Sequence, residues 1–346
     1  MIKHKFTFDI TLNILLLSLF FCTSCKYTDN KEDSIKKIDV NISITPMDSL
    51  LFNAKNANEV LSILTQHSSV VENYFKTSPQ KFQELAPKVF SLVNNPSLKD
   101  FYKQSKEKTF FGNNQLRTDF EEAFRHIKYY YPNFKEPKIY TFFTGFGGGG
   151  MIPNTDLFVS DSVILVGLDY FMGKKAKYLP DVFDYQLKQL TTRSIVPKAV
   201  MFLSQKYNMV NHEDRTLLAD MVYFGKSLEF AQTMSPSIPD STIIGYTHQE
   251  MEDTHNFQDD VWAYFIDNKL LFATDEPKKS KMLGARPNTS EIGTTCPGSV
   301  GKWLGWRIVK KYLKENKKVT LQELMKSNDA NQILQLSQYK GLIDEE

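Results

Sequence analysis

The stretch PKIYTFFTGFGGGGMIPNTDLFVSDSVILVGLDYF, Pro137–Phe171, is the part of the chain whose reading decides the fold. Its flanks, PKIYTFFTGF and DLFVSDSVILVGLDYF, are rich in β-branched and aromatic residues and read as strands on either side of a glycine-rich turn. Upstream, KIDVNISITPMDSLLF alternates at Val40, Ile42 and Ile44 and reads as a further strand with a turn at Pro46. Between these lie helical patterns. NANEVLSILTQH and SPQKFQELAPKVFSLVNN are short helices, and QLRTDFEEAFRHIKYYYPNF places Leu116, Phe120, Phe124 and Ile127 on one face before Pro132 closes it. From Tyr185 onward the pattern is mostly helical. DRTLLADMVYFGKSLEFAQTM reads as one helix, THQEMEDTHNFQDDVWAYFIDNKLLF as two and GSVGKWLGWRIVKKYLKEN as another, with TLQELMKSN and ANQILQLSQ closing the chain. Helices, a small sheet, then a helical half predict a single helix-dominated α+β domain without internal repeats.

The bulk numbers agree with one large or two small domains: 346 residues, 41% hydrophobic, are ample for a buried core. An aromatic share of 13% points to an aromatic-rich interior. With 42 basic and 40 acidic residues the charge is nearly balanced, so there is no basic stripe to argue for nucleic acid. Cys22, Cys25 and Cys296 are too few for a disulfide framework.

Several motifs invite a chemical reading and lose to a plainer one. GFGGGG at Gly145–Gly150 formally fits G-x-G-x-x-G, but Pro153 and a strand follow where a dinucleotide site needs a helix N-terminus, so it reads as a flexible hairpin loop. His212-Glu213 opens an HExxH-like string, yet Thr216 stands where the second His belongs; a helix start with Asn211 as N-cap explains it. His248, Glu252 and His255 would share a helix face and could hold a metal, but Gln249, Glu250 and Asp253 around them make a solvated face the better reading. Trp303, Trp306 and Tyr312 read as core, with ligand stacking by Trp306 as the alternative. Gly301 and Gly305 beside them predict a close helix contact. Cys296 has no nearby His and reads as structural.

The first residues read differently. Met1-Ile2-Lys3-His4-Lys5 is a basic start, and ITLNILLLSLFFC, Ile10–Cys22, is an apolar run of secretory size (about 7 to 15 residues), short of the ~20 that span a bilayer. Thr23 and Ser24 are small and precede Cys25, as a lipoprotein signal peptidase requires; Cys22 follows bulky Phe20 and Phe21 and is the poorer acceptor. A CxxC zinc site lacks a second ligand pair, and a redox CxxC would not sit behind such a run. The expected organisation is a signal peptide over residues 1–24, a lipid-modified Cys25, a polar flexible tether over residues 25–37 and one domain over residues 38–346. Lys26, rather than Asp, after the cysteine favours the outer membrane.

Taken together, EAFRHIKYYYPNFKEPKIYTF, VILVGLDYFMG, SIVPKAVMFL, LLADMVYFGKSLEF, IPDSTIIGYT, VWAYFIDNKLLFATD and PGSVGKWLGWRIVKKYL with SQYK resemble, in order, the gliding motility lipoprotein GldB family over roughly residues 38 to 342. The resemblance implies a lipid-anchored envelope protein that works with the gliding and type IX secretion machinery. The layout is also similar to a degenerate zincin-type metallopeptidase, in which a strand precedes a helix carrying HExxH. Here that helix is SIVPKAVMFLSQ, without His or Glu, and LLADMVYFGKSLEF keeps only Glu229, so no catalytic residue carries over. The expectation is a non-enzymatic component with no catalytic residue, metal or cofactor. The competing readings are an envelope hydrolase, or a module that binds glycan or peptide in a zincin-like cleft.

Cys25→Ala is expected to give an unacylated chain that no longer partitions with membranes, because stable anchoring takes more than one acyl chain at ~0.8 kcal/mol per buried CH₂. Lipid labelling in cells checks this; undiminished labelling would assign the anchor to another residue.

Overall fold

The computed structural model describes residues 31–342. The stretch read as a signal peptide and Cys25, the residue read as lipid-modified, lie outside the described residues. The chain divides after Ile38. Before it, Lys31–Lys36 forms a short helix with Glu32 and Asp33 in the first turn and Lys36 in the last, the charge order a helix dipole favours. This part of the stretch read as a flexible tether is therefore helical.

From Asp39 on, the second unit is a helix-dominated α+β domain with one four-stranded sheet. The strands are β1 (Ile44–Pro46), β2 (Lys138–Phe142), β3 (Leu157–Val159) and β4 (Val163–Gly167), in the order β1-β2-β4-β3. β1, β2 and β4 are parallel, with Ile44 opposite Ile139 and Ile139 opposite Ile164. β3 is an antiparallel edge, Phe158 facing Leu165. β4, in the middle, buries Ile164, Leu165 and Val166, as a parallel strand covered on both faces must. Aromatic rings pack on the sheet and its ends: Tyr74 stacks on Phe142 at 3.7 Å between centroids, and Phe101 meets Phe143 edge-on at 4.9 Å.

Three expectations about the sheet region are corrected here. DLFVSDSVILVGLDYF is two strands, because Ser160 turns the chain with its N–H on the Val163 carbonyl (2.8 Å), and Leu168–Lys175 continues as 3-10 helix. β2 pairs with β4 and not with β3, so the glycine run between them is no hairpin loop. The strand expected from Val40 is only Ile44–Pro46 and passes directly into the Met47–Phe52 helix.

The helical half matches its patterns closely, with helices at Leu217–Met234, His248–Asn256, Gln258–Asp267, Val300–Glu315, Leu321–Lys326 and Ala330–Ser337. Thr216, in extended backbone, caps the first of these by accepting from Ala219 N at 3.2 Å. His212 and Glu213 thus sit in the turn before the helix, where Asn211 Oδ1 accepts from Glu213 N, and Asn211 is not its N-cap.

The Leu217–Met234 and Val300–Glu315 helices form the axis of this half. Their closest approach is at Gly225 and Gly305. A Cβ built on Gly305 would lie 1.9 Å from the Met221 carbonyl oxygen, and one on Gly225 would lie 2.4 Å from the Gly305 oxygen. The close contact expected from Gly301 and Gly305 is therefore real at Gly305, but its partner is Gly225. Gly301 instead faces Met282 and Leu283, at 3.1–3.3 Å. Beside the crossing, Lys226 is buried and donates from Nζ to the carbonyls of Met209 (2.9 Å) and Ser327 (2.6 Å). Burial pushes its pKa down to about 8.

Gly305→Ala is expected to destabilise the fold by about 3 kcal/mol or more, above the ~1–3 kcal/mol usual for overpacking, because the obstructing atoms are backbone and cannot rotate away. A denaturant midpoint within error of the parent would show that the two helices can separate at no cost.

Candidate functional site

Two of the concavities among the described residues bear on chemistry. The first lies between the Ile195–Ser204 and Leu217–Met234 helices, where a zincin-like layout would hold its metal. It is a groove of about 190 Å³ lined by Lys198, Met201, Phe202, Gln205, Tyr223, Phe224 and Ser227. Ile195, Val196, Ala199 and Val200 are turned into the core, while Lys198 lines the groove with Nζ 5.6 Å from the Phe171 ring centroid. Burial lowers the Lys198 pKa and Asp156 opposes this. An ammonium at this wall repels a cation.

Glu229 does not line this groove. Its Oε2 accepts from Trp306 Nε1 at 2.8 Å, and Lys310 lies over the Trp306 ring at 4.6 Å while pairing with Asp240 at 2.9 Å. Desolvation raises the Glu229 pKa, with Lys310 and the Trp306 bond opposing. Trp306 is thus core with its N–H satisfied, and does not present a face for ligand stacking. His248 and Glu252 are exposed on their helix, and His255 packs edge-on against Trp303 at 5.5 Å. Among the described residues no group of three or more His, Cys, Asp or Glu side chains is placed to hold a metal ion. Cys296 is buried, and desolvation pushes its thiol up to about 11.

The second concavity lies at the carboxyl ends of the parallel strands, where open α/β sheets expose their crevices. Each strand is followed there by a buried polar side chain. After β1, Asp48 accepts from Thr141 Oγ1 (2.5 Å), Tyr102 OH (2.8 Å) and Lys106 Nζ (2.8 Å). After β2 comes Thr144, and after β4 comes Asp169.

Between Thr144 and Met151 the glycine run winds into a left-handed helical turn, with φ of 58° to 71° and ψ of 27° to 39° from Phe146 to Gly149. An L-residue loses roughly 1–2 kcal/mol in this conformation and glycine does not, so only Phe146 bears the strain. The turn starts on Asp169. Its Oδ2 accepts from Phe146 N at 2.6 Å and Thr144 N at 3.3 Å, as an acid does at a helix N-terminus. Thr144 Oγ1 accepts from Gly147 N (3.1 Å) and Asn154 Nδ2 (3.1 Å), with the Tyr74 hydroxyl 3.4 Å away. Asp169 is fully buried. Desolvation pushes its pKa up to about 6, and the Phe146 and Thr144 N–H groups hold it down. Its Oδ1 has no hydrogen-bond partner among the described residues.

The outer face of this turn, with the ends of two helices, walls a cleft of about 450 Å³. Sequence reading missed Asp48, Thr144 and Asp169 as a set. The available signal was a polar residue just beyond the apolar run of each strand, in TPMD, FFTG and VGLD.

These features define a single helix-dominated α+β domain, with one small mixed sheet and a cleft at its carboxyl edge. Residues 28–341 match the family model for the gliding motility protein GldB, and the chain belongs to that family. Membership makes it a gliding-motility-related lipoprotein of the cell envelope, associated with the motility machinery. No curated protein and no solved structure matches it. Among the described residues no helix is long and apolar enough to cross a membrane.

Asp169 predicts a pH signature. Its folded pKa, about 6, lies above the ordinary aspartate value of 3.8, so the native state holds this proton more tightly than the unfolded chain. Its contribution to stability is full below pH ~4 and is lost as pH rises through about 6, a swing on the order of 2–3 kcal/mol. Relative to Asp169→Asn, the parent should gain stability as pH falls from 7 to 4 in paired denaturant titrations. A constant difference between the two across that range would place the titration elsewhere.

Proposed function

We propose that the protein is a non-catalytic component of the gliding machinery, tethered to the outer membrane through lipid on Cys25 and acting through contacts with motility and type IX secretion proteins. The observation that supports a non-catalytic role is the lining of the groove between the Ile195–Ser204 and Leu217–Met234 helices. A hydrolytic zinc needs three protein ligands, an open position for water and a carboxylate beside it. That wall holds Lys198 and Phe202, and the acid on the second helix, Glu229, faces Trp306 on the other side. Glu229 then serves packing, satisfying a buried indole N–H beside Lys310.

The cleft at the sheet's carboxyl edge favours, as a second reading, a lipoprotein that also binds a ligand. Its size falls in the ~300–1,000 Å³ range of small-molecule sites.

Glu229→Gln keeps an acceptor for Trp306 and removes any base. It is expected to restore gliding to a deletion strain at the parent's level, with normal protein abundance. Elemental analysis of the tag-free chain, dialysed against trace zinc, should find far less than one zinc per molecule. Loss of gliding by a stable Glu229→Gln protein, or one zinc per chain removed by His248→Ala or His255→Ala, would make the hydrolase the leading reading.

A further inference from the structure

We propose that a cavity at the amino ends of β2 and β4 binds a neutral pyranose sugar, free or at the end of a glycan chain. This cavity lies at the opposite edge of the sheet from the cleft beside the glycine turn. Its volume is about 420 Å³, inside the ~300–1,000 Å³ range of small-molecule sites.

Three stretches meet there. The chain entering β2, the turn between β3 and β4, and the turn after the Ile195–Ser204 helix each supply part of the lining. Protein contacts fix the walls. Phe134 N donates to Tyr131 O at 2.8 Å, Lys138 N donates to Ser162 O at 2.9 Å, and Lys206 Nζ pairs with Asp161 Oδ2 at 2.8 Å.

One wall is a rigid aromatic plate. Tyr131 stacks on Tyr207, with centroids 3.8 Å apart and planes 24° apart, and Phe230 flanks the two rings at 6.0 and 5.8 Å. Tyr131 covers one face of Tyr207, which leaves the other for the cavity that Tyr207 lines. Phe134, also lining, is held by Phe124 edge-on at 5.4 Å. Flat rings already locked by packing lose little entropy on binding, and they accept the C–H face of a sugar ring.

The other lining groups select the polarity of the ligand. Asp161 accepts, Lys135 and Lys206 donate, and Asn133 and Ser162 do both. The Lys206–Asp161 pair is half or more exposed on each side and engages one carboxylate oxygen, so Asp161 Oδ1 is left for a ligand. The Asn133, Lys135 and Ser162 side chains make no hydrogen bond among the described residues. An alkyl group laid here would strip water from all these groups and give nothing back. An anion would have to sit beside Asp161, and a cation beside two lysines. Neighbouring sugar hydroxyls both donate and accept, so one neutral ligand can bridge the carboxylate and an ammonium without breaking their pair. Mixed donors and acceptors around an aromatic plate thus fit a neutral polyol with one apolar face, which describes a pyranose.

The test uses the full-length chain in a detergent without a sugar head group. Methyl glycosides of glucose, galactose, mannose and N-acetylglucosamine are titrated in turn, and binding is read by ligand-observed NMR and calorimetry. At least one is expected to bind with a Kd of about 10 mM or tighter, the range of a single small ligand. The corresponding uronate and amino sugar should bind at least about three-fold more weakly. Asp161→Asn and Asn133→Ala, both on exposed side chains, should each weaken binding at least about three-fold, the loss of one hydrogen bond. Tyr207→Leu, which keeps apolar bulk and removes the flat ring, should weaken it about ten-fold; the two exposed variants decide the matter should this one fail to fold. A trisaccharide ending in the same sugar separates the sources, since retained binding assigns the cavity to a chain end and exclusion to a free sugar. Absence of binding by all four glycosides, or binding unchanged by both Asp161→Asn and Asn133→Ala, would overturn the site. Tighter binding of the uronate or the amino sugar would overturn the neutral ligand. Because the readout is sugar binding and not gliding, the result stands apart from the motility role.

Discussion

The contact on which the helical half depends is the crossing of two backbones at Gly225 and Gly305. Nothing larger than hydrogen fits on either α-carbon, since the would-be Cβ atoms fall within 2.4 Å of the opposing chain's carbonyl oxygens. This approach sets the positions of the groups around it. Trp306, one residue beyond Gly305, reaches across to Glu229 one turn beyond Gly225. Lys226, next to Gly225, extends to the carbonyls of Met209 and Ser327 and so ties the crossing to the chain's last helices. A buried ammonium facing only carbonyls is costly, as its lowered pKa records, and it is tolerable because three backbone acceptors replace its water. The Trp306 indole bond and the Lys226 contacts both lie directly beside this close approach.

The sheet half is organised by a different constraint, the burial of acids at the ends of parallel strands. Asp48 gathers Thr141, Tyr102 and Lys106 around the end of β1, linking two strands and a helix through one carboxylate. Asp169 does the same after β4, but its partners are backbone N–H groups of a left-handed turn. Glycine is needed there for its freedom at positive φ. This is a different role from the phosphate-cradling one that the G-x-G-x-x-G spacing would suggest. The groove of the helical half also differs from what its local sequence pattern would suggest. There Lys198 lines the wall, and Glu229 bonds the Trp306 indole instead of facing the groove.

The sequence by itself determined the class of fold, the family and nearly every helix of the second half, because amphipathic periodicity and caps are local. The 3.6-residue spacing of Leu116, Phe120, Phe124 and Ile127 yields the Gln115–Tyr130 helix without reference to the rest of the chain. Family resemblance was carried by several ordered stretches and is matched over residues 28–341. Even the tight helix crossing was visible in Gly305, though not its partner. What only the tertiary structure decided is non-local. Pairing β2 with β4 and leaving β3 at the edge depends on which strands meet, and no local pattern encodes that; hence a turn that looked like a hairpin is a left-handed turn ending a parallel strand. Likewise Gly225 found Gly305, and Glu229 found Trp306, across about eighty residues of chain. The cleft and its charge balance were equally hidden, since its walls come from three separate stretches that become neighbours only when the sheet forms.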